Sequence, residues 1–214
     1  MKEFTSKEKI LKKVRNALIE KMPGPYDNAD ADVSVYVKSS TEYPEVEFAE
    51  VFSRLGGNFF FAQSYNELVS QLQHLLLELQ LQSVFCTDAT LQKMVESAQI
   101  EIIRNHEEIV RCQASLTFCE VLVSRLGAIV MSSQIAGGRA CFSLPPVHIV
   151  VATPFQIVPD IEEAFSFLNK KYSGNLPSMI TFVAGPSRTA DIEKTLVLGA
   201  HGPEGLYLLL SESE

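Results

Sequence analysis

Residues 58–87 read NFFFAQSYNELVSQLQHLLLELQLQSVFCT, and this stretch decides the fold. Its two ends, residues 58–62 and 83–87, are short apolar runs, which are typical of strands buried on both faces. Between them, Ser64 can cap a helix that continues to about Gln80. The apolar positions of this helix recur at helical spacing: Leu68, Leu72, Leu75, Leu76 and Leu79. A strand, a helix and a second strand in this order predict a parallel βαβ unit.

The rest of the chain continues this alternation. Further strands are predicted at residues 100–103, 128–131, 147–152, 179–184 and 206–210. Further helices are predicted at residues 45–55, 88–98, 119–126 and 160–172. We therefore expect an α/β fold with a mainly parallel sheet flanked by helices, formed by one domain at residues 44–214.

Residues 1–43 are predicted to form an N-terminal arm, in which a helix is followed by an extended connection. The helix is capped by Ser6, continues to about Met22 and has its apolar residues on one side: Ile10, Val14, Leu18 and Ile19. Residues 1–21 hold seven Lys or Arg and three Glu, whereas the whole chain has a net charge of −8. Three interpretations of this basic helix remain open: a solvated face, docking on an acidic partner, and a homodimer formed through the arm.

Composition excludes several classes of protein. The acidic net charge argues against a nucleic-acid binder. No run approaches the roughly 18 apolar residues of a membrane-spanning helix, and the N-terminus shows no targeting signal, so we expect a cytoplasmic location without a membrane. No pair of cysteines has the CxxC spacing of metal and iron–sulfur sites, and the motifs of dinucleotide, P-loop, zincin and α/β-hydrolase sites are missing. Neither a metal nor a cofactor is therefore predicted.

Residues 185–203, GPSRTADIEKTLVLGAHGP, are the chemically densest part of the chain. They follow the predicted strand at residues 179–184, whose carboxyl end should face the sheet edge where open α/β proteins bind ligands. Gly185 allows the backbone to approach a ligand closely, Ser187 and Thr189 bring hydroxyls, and Arg188 brings a guanidinium. These features suit a carboxylate or a phosphate. These residues are the candidate ligand site.

Acid–base groups lie in the same stretch. Asp191, Glu193 and His201 are candidates for proton transfer, because carboxylates and imidazole can exchange protons near neutral pH. The structural alternatives are a helix-capping turn, in which Arg188 pairs with Asp191 or Glu193, and a histidine held by hydrogen bonds in a turn. The residues alone leave these alternatives open.

Gly137-Gly138-Arg139 forms a second glycine-rich segment between two predicted strands. Its composition indicates a flexible loop that contacts a phosphate, so Gly138 and Arg139 are also candidate ligand-binding residues; the alternative is an ordinary turn. His148, inside the apolar run at residues 147–152, is interpreted as a buried histidine with one hydrogen bond.

The motif stretch resembles a known family. The sequence GPSRTADIE at residues 185–193 and GAHGP at residues 199–203 are similar to the C-terminal signature of the lactate-utilisation protein C family, also called the LUD domain. Similar segments are Ile157-Val158-Pro159-Asp160, the run from Leu144 to Ile149, and Leu55-Gly56-Gly57. The resemblance covers residues from about 44 to the end, and it adds Gly127, Gly199 and Gly202 to the candidate ligand-binding residues.

This resemblance implies a fold like that of the sugar-phosphate isomerases and CoA-transferases (NagB/RpiA-like). It also implies a part in oxidising L-lactate to pyruvate, beside partner proteins that carry iron–sulfur clusters. Two alternatives remain: a stand-alone isomerase or CoA-transferase-like enzyme for a phosphorylated or acyl substrate, and a binding module without turnover.

One segment departs from the family pattern. Where the family has Glu-Thr-Gly before a strand, this chain has Arg125-Leu126-Gly127. A guanidinium cannot accept a proton and reverses the local charge. The departure is consistent with a divergent member that has a changed ligand, or with a non-catalytic subunit.

Overall fold

The computed structural model describes residues 6–19, 42–135, 137–189, 197–199 and 202–212. The chain divides into two compact units, Met1–Val37 and Lys38–Glu214. In the first unit the structure describes helix α1 (Ser6–Ile19), so the end predicted near Met22 lies outside the described residues. More than half of the side-chain surface of four apolar residues of α1 is exposed: Ile10, Leu11, Val14 and Ile19.

The second unit alternates strands and helices. Its α-helices are α2 (Pro44–Arg54), α3 (Tyr65–Glu78), α4 (Ala89–Val95) and α5 (Ile161–Lys171). Its strands are β1 (Asn58–Ala62), β2 (Ser83–Phe85), β3 (Glu101–Ile103), β4 (Ala114–Phe118), β5 (Val121–Val123), β6 (Ala128–Ser132), β7 (Val147–Ala152), β8 (Ile157–Val158), β9 (Ile180–Val183), β10 (Arg188–Thr189), β11 (Val197–Leu198) and β12 (Gly205–Ser211). Short 3₁₀ helices lie at Glu96–Ala98, His106–Arg111, Ser124–Leu126, Arg139–Phe142 and Pro154–Gln156.

Six strands form the main sheet, in the order β1-β12-β7-β4-β2-β3, and every neighbouring pair is parallel. The elements β1, α3 and β2 confirm the parallel βαβ unit predicted for residues 58–87. Ser64 caps α3 by accepting a hydrogen bond from the Glu67 backbone N–H at 3.3 Å. The predicted leucine stripe is buried against the sheet at four positions: Leu68, Leu72, Leu75 and Leu76. The expected α/β fold with a mainly parallel sheet and flanking helices is therefore confirmed.

A second sheet of four strands, in the order β8-β5-β6-β9, packs on the other face of the main sheet. Leu122 and Ile129 of this sheet share a core cluster with Val150 and Leu208 of the main sheet. The opposite face of the second sheet contacts Ala164 and Leu168 of α5. The unit therefore has four layers: α3 and α4, the main sheet, the second sheet, and α5.

One prediction in this region was wrong, and one strand was missed. Residues 119–126 do not form one helix: Val121–Val123 forms β5, which is buried on both faces between the main sheet and α5, and only Ser124–Leu126 is helical, as a 3₁₀ turn. Strand β4, Ala114–Phe118, was not predicted as a strand. Its Ser115 and Thr117 interrupt the apolar run that would have identified it, although both side chains are buried.

The position of β9 corrects the expected place of the motif stretch. Strand β9 pairs antiparallel with β6 in the second sheet, so it does not end at the carboxyl edge of the parallel sheet. Ser187 instead donates its N–H to the carbonyl of Pro203 at 2.8 Å, and Glu204 donates to the carbonyl of Pro146 at 2.8 Å. Pro146 directly precedes β7 and Pro203 lies two residues before β12, so the motif stretch lies at the amino edge of the main sheet.

Candidate functional site

A pocket of about 450 Å³, here named the motif pocket, lies beside the end of β9. It is lined by Arg139, Phe142, Ser143, Met179, Thr181, Phe182, Val183, Ala184, Gly185, Ser187, Gly202 and Pro203. Four of these were predicted as ligand-binding residues from segments far apart in the sequence: Arg139, Gly185, Ser187 and Gly202. The structure brings these four residues together.

Gly185 occupies a position that only a glycine fits. Its φ is +122°, and a Cβ atom there would lie 2.7 Å from the carbonyl oxygen of Leu55. The loop that follows is fixed by backbone hydrogen bonds on both sides of Ser187. Its N–H donates to Pro203, and its carbonyl accepts from Gly199 at 3.0 Å. The close packing of this loop against the end of α2 gives the motif pocket its wall.

Arg139 supplies the positive charge among the described residues that line the motif pocket. It is exposed, and its Nη2 donates to the Ser178 hydroxyl at 2.7 Å. Gly138, the neighbouring candidate, does not line the pocket. The polar groups of the pocket and its apolar wall suit a small organic anion.

Arg188 does not contribute to the motif pocket. Its Nη2 donates to the carbonyl of Leu55 at 2.8 Å. Leu55 is the C-cap of α2, where helix carbonyls lack intrahelical partners and carry partial negative charge. The guanidinium therefore stabilises a helix end, which neither the anion interpretation nor the pairing with Asp191 or Glu193 anticipated.

Gly127 and Gly199 also lie outside the lining of the motif pocket. Gly127 is buried with φ +55°, and a Cβ there would lie 2.5 Å from the backbone nitrogen of Phe52 in α2. Gly199 has φ +75° and lies against the side chain of Glu204. Both positions have a packing reason for glycine, and their roles in ligand binding remain predictions.

Arg125, which stands where the family resemblance implies a glutamate, is engaged in an ion pair. Its guanidinium donates to both carboxylate oxygens of Asp160, at 2.8 and 2.7 Å. Asp160 also caps α5 through the Ile161 N–H, and the hydrogen bonds from Arg125 hold the pKa of Asp160 below its usual value. Arg125 therefore connects the second sheet to the start of α5.

The three proton-transfer candidates, Asp191, Glu193 and His201, lie outside the described residues, as does the side chain of Thr189. Their assignments remain predictions.

Sequence reasoning missed a group of polar side chains, here named the Glu120 cluster: Glu120, Ser132, Lys171 and Tyr172. Glu120 is only 1% exposed. Its Oε1 accepts from the Ser132 hydroxyl at 2.6 Å and from the Tyr172 hydroxyl at 2.5 Å. Its Oε2 accepts from the Lys171 ammonium at 2.6 Å. Burial alone would raise the pKa of Glu120, but these three hydrogen bonds outweigh it and lower the pKa below the usual value.

The signal for the Glu120 cluster was a single acid in the run Phe118-Cys119-Glu120-Val121-Leu122. A charged residue inside an apolar run is expected to be paired when it is buried. That signal could identify Glu120, but the sequence gives no indication of its partners.

The four cysteines are buried and unpaired. Burial raises the pKa of Cys86 to about 11 and the pKa values of Cys119 and Cys141 to about 12, so these thiols stay protonated at neutral pH. The structure therefore assigns the four cysteines to packing.

The described parts of the chain hold neither a metal-binding group of side chains nor a membrane-spanning helix. There, no three His, Cys, Asp or Glu side chains are grouped so that they could hold a metal ion. The helices of those parts also lack the combination of length and apolar character that crossing a bilayer requires.

Known proteins resemble this chain in fold and in sequence. A crystal structure of a DUF162 family protein from Deinococcus radiodurans matches with a TM-score of 0.58 and 19% identity, and the match covers 78% of this chain and 96% of that one. This likeness shows a shared fold.

Curated relatives match over part of their length. Lactate utilization protein C of Bacillus subtilis (strain 168) is 32% identical over 111 residues, which are 50% of this chain and 46% of that protein. Lactate utilization protein C of Bacillus pumilus (strain SAFR-032) is 36% identical over 120 residues, 55% of this chain and 49% of that protein. The chain thus spans about half the length of these relatives. The family model of the LUD domain matches residues 46–211, and the chain belongs to the LUD domain family.

Proposed function

We propose that this chain is an accessory subunit in the oxidation of L-lactate to pyruvate, and that it binds a small anion in the motif pocket. The observation that carries the proposal is the convergence of Arg139, Gly185, Ser187 and Gly202 on one pocket, in a chain of the LUD domain family. The names of the curated relatives support lactate utilization as the process.

The motif pocket has the chemistry for an organic acid. The Arg139 guanidinium can donate hydrogen bonds to a carboxylate, and the hydroxyls of Ser143 and Ser187 add polar contacts. The apolar wall, which includes Phe142 and Met179, can contact a short carbon chain. In this proposal, Asp191, Glu193 and His201, which lie in the same motif stretch as Ser187 and Gly202, are the candidate acid–base groups.

Partner proteins are a second part of the proposal. Oxidation of a hydroxy acid to a keto acid releases two electrons, which we assign to iron–sulfur partner proteins. The ion pair of Arg125 with Asp160 supports the accessory role, because it engages the side chain that replaces the family glutamate.

Co-expression of the chain with candidate iron–sulfur proteins should give a complex that oxidises L-lactate. In the same complex, Arg139→Gln is expected to weaken lactate binding about tenfold or more, because a charge-assisted hydrogen bond contributes about 1.5–3 kcal/mol. Calorimetric titration with lactate and the rate of pyruvate formation are the two measurements.

Arg104→Gln is the matched control, because Arg104 is an exposed arginine that bonds Gln92 and does not line the motif pocket. Full lactate oxidation in the absence of this chain would contradict the accessory role. Equal affinities of the Arg139→Gln and Arg104→Gln variants would contradict the assignment of the motif pocket.

The N-terminal arm is proposed to hold a homodimer together, with residues 44–214 as the LUD domain. The exposed apolar residues of α1 support this proposal, because such a stripe is usually covered by a partner. Ile10→Glu should shift the mass in light scattering from a dimer to the 23.7 kDa monomer. Lys9→Gln changes the net charge by the same amount as Ile10→Glu and should leave the dimer intact. A wild-type chain that is monomeric in light scattering would contradict the proposal.

A further inference from the structure

A second pocket of about 350 Å³, here named the switch-point pocket, lies at the opposite edge of the main sheet. It is lined by Asp88, which follows β2, by Phe118, Cys119 and Glu120 at the end of β4, and by Gln134, Ile135, Lys171 and Tyr172. Strand β2 lies between β3 and β4, so the chain leaves β2 towards one side of the sheet and leaves β4 towards the other. The carboxyl ends of two such strands form the crevice in which open α/β sheets bind ligands.

The Glu120 cluster forms one wall of this pocket. Glu120 is a positioning residue, because its buried carboxylate holds the Tyr172 hydroxyl and the Lys171 ammonium at the pocket. An ammonium has three N–H donors, and the hydrogen bond to Glu120 uses one of them. The Lys171 side chain is 47% exposed, so its remaining donors are accessible to a ligand.

Asp88 brings a negative charge to the same pocket. Its Oδ1 caps α4 by accepting from the N–H groups of Thr90 and Leu91, at 2.8 and 3.1 Å, which fixes the orientation of the carboxylate. Its Oδ2 remains an acceptor for a hydroxyl. The pocket thus combines an ammonium donor with a carboxylate acceptor, beside the apolar side chains of Phe118 and Ile135.

We propose that the switch-point pocket binds a small oxyanion that also carries a hydroxyl group. Lys171 binds the anionic group, and the hydroxyl donates a hydrogen bond to Asp88. A hydroxycarboxylate and a hydroxylated phosphate share this chemistry. The site is separate from the motif pocket and does not depend on the role proposed there.

Titration of the full chain with L-lactate and with glycerol 2-phosphate, followed by amide NMR and calorimetry, tests the proposal. At least one of these probes should shift the amide signals of Asp88, Cys119 and Glu120. The probe that binds more tightly shows whether the site prefers a carboxylate or a phosphate. Acetate and methyl phosphate lack the hydroxyl and should bind about tenfold more weakly. These shifts should persist in Arg139→Gln, which separates this site from the motif pocket.

Two variants test the two charged groups. Lys171→Gln should weaken binding of the stronger probe about tenfold or more, whereas Lys170→Gln, on the adjacent residue of the last turn of α5, should leave it unchanged. Asp88→Asn keeps an N-cap side chain, so it should preserve the fold while it weakens the hydroxylated probe towards the level of its hydroxyl-free counterpart.

Three outcomes would overturn the proposal: no probe shifts these amides, Lys170→Gln and Lys171→Gln weaken binding equally, or acetate and methyl phosphate bind as tightly as the hydroxylated probes. Circular dichroism checks that each variant is folded. If Lys171→Gln fails to fold, Asp88→Asn decides the question alone, and unchanged binding in that variant is then the contradicting result.

Discussion

Replacing Gly127 by alanine should lower the free energy of unfolding by about 3 kcal/mol. Two costs add at this position. The φ of +55° is in the left-handed region, which costs a residue with a side chain about 1–2 kcal/mol. The added Cβ would also lie 2.5 Å from the backbone nitrogen and 2.9 Å from the Cα of Phe52. Backbone atoms cannot rotate away, so α2 would have to move.

Movement of α2 would disturb the core. Phe52 is fully buried, and its ring stacks on that of Phe48 with the centroids 5.4 Å apart. The overpacking cost of about 1–3 kcal/mol therefore falls on a cluster that α2 shares with both sheets. Urea unfolding of the variant and the wild type measures the change.

Gly174→Ala is the matched control for this prediction. Gly174 also has a positive φ, +83°, but the nearest atom to an added Cβ is 4.0 Å away. It should lose only the conformational part, about 1 kcal/mol. If both variants lose the same stability, the contact with α2 does not require glycine at residue 127. The predicted contact with a ligand would then explain the glycine better.

The fold was predictable where its signals are local. The leucine spacing of α3, the Ser64 cap and the apolar runs of β1 and β2 all lie within residues 58–87, and all three were confirmed. Strand β4 was missed because Ser115 and Thr117 interrupt its apolar run, and the failure at the motif stretch concerns long-range pairing. Residues 180–183 pair with β6, which lies about 50 residues earlier in the chain, and not with a strand of the parallel sheet. The local sequence of residues 179–184 contains no signal for this partner.

The candidate site follows the same division. Glycine, serine and arginine were recognised as suited to an anion, and four of these residues line one pocket. The orientation of Arg188 was missed, because its acceptor, Leu55, is 133 residues away in the chain. The partners of Glu120 are 12, 51 and 52 residues away, so the sequence could indicate a buried acid without revealing what neutralises it.

Lowering the pH from 6.5 to 5 should remove about 2 kcal/mol of stability through His148. His148 is 1% exposed, and burial lowers its pKa to about 3. Its Nε2 lies 2.9 Å from the Thr117 hydroxyl, and its Nδ1 has no hydrogen-bond partner among the described residues. This agrees with the interpretation of a buried histidine with one hydrogen bond.

The sign follows from the two states. A histidine in the unfolded chain has a pKa of about 6.5. Below that pH, His148 therefore binds a proton in the unfolded chain but not in the folded chain. Stability is therefore complete only well above pH 6.5, and below that pH the loss approaches about 1.4 kcal/mol for each pH unit until the folded pKa is reached. The pKa values of Glu120 and Asp160 are lowered, so their contributions to stability are lost only at more acidic pH. These two carboxylates therefore add little to the change in stability between pH 5 and 6.5.

Urea unfolding at several pH values measures this slope. His148→Gln should flatten the curve between pH 5 and 6.5, because an amide can still bond the Thr117 hydroxyl but does not titrate. His74→Gln removes an exposed histidine and should leave the slope unchanged. If the slope persists in His148→Gln, protonation of another group governs acid unfolding, and His148 does not carry the cost that its burial indicates.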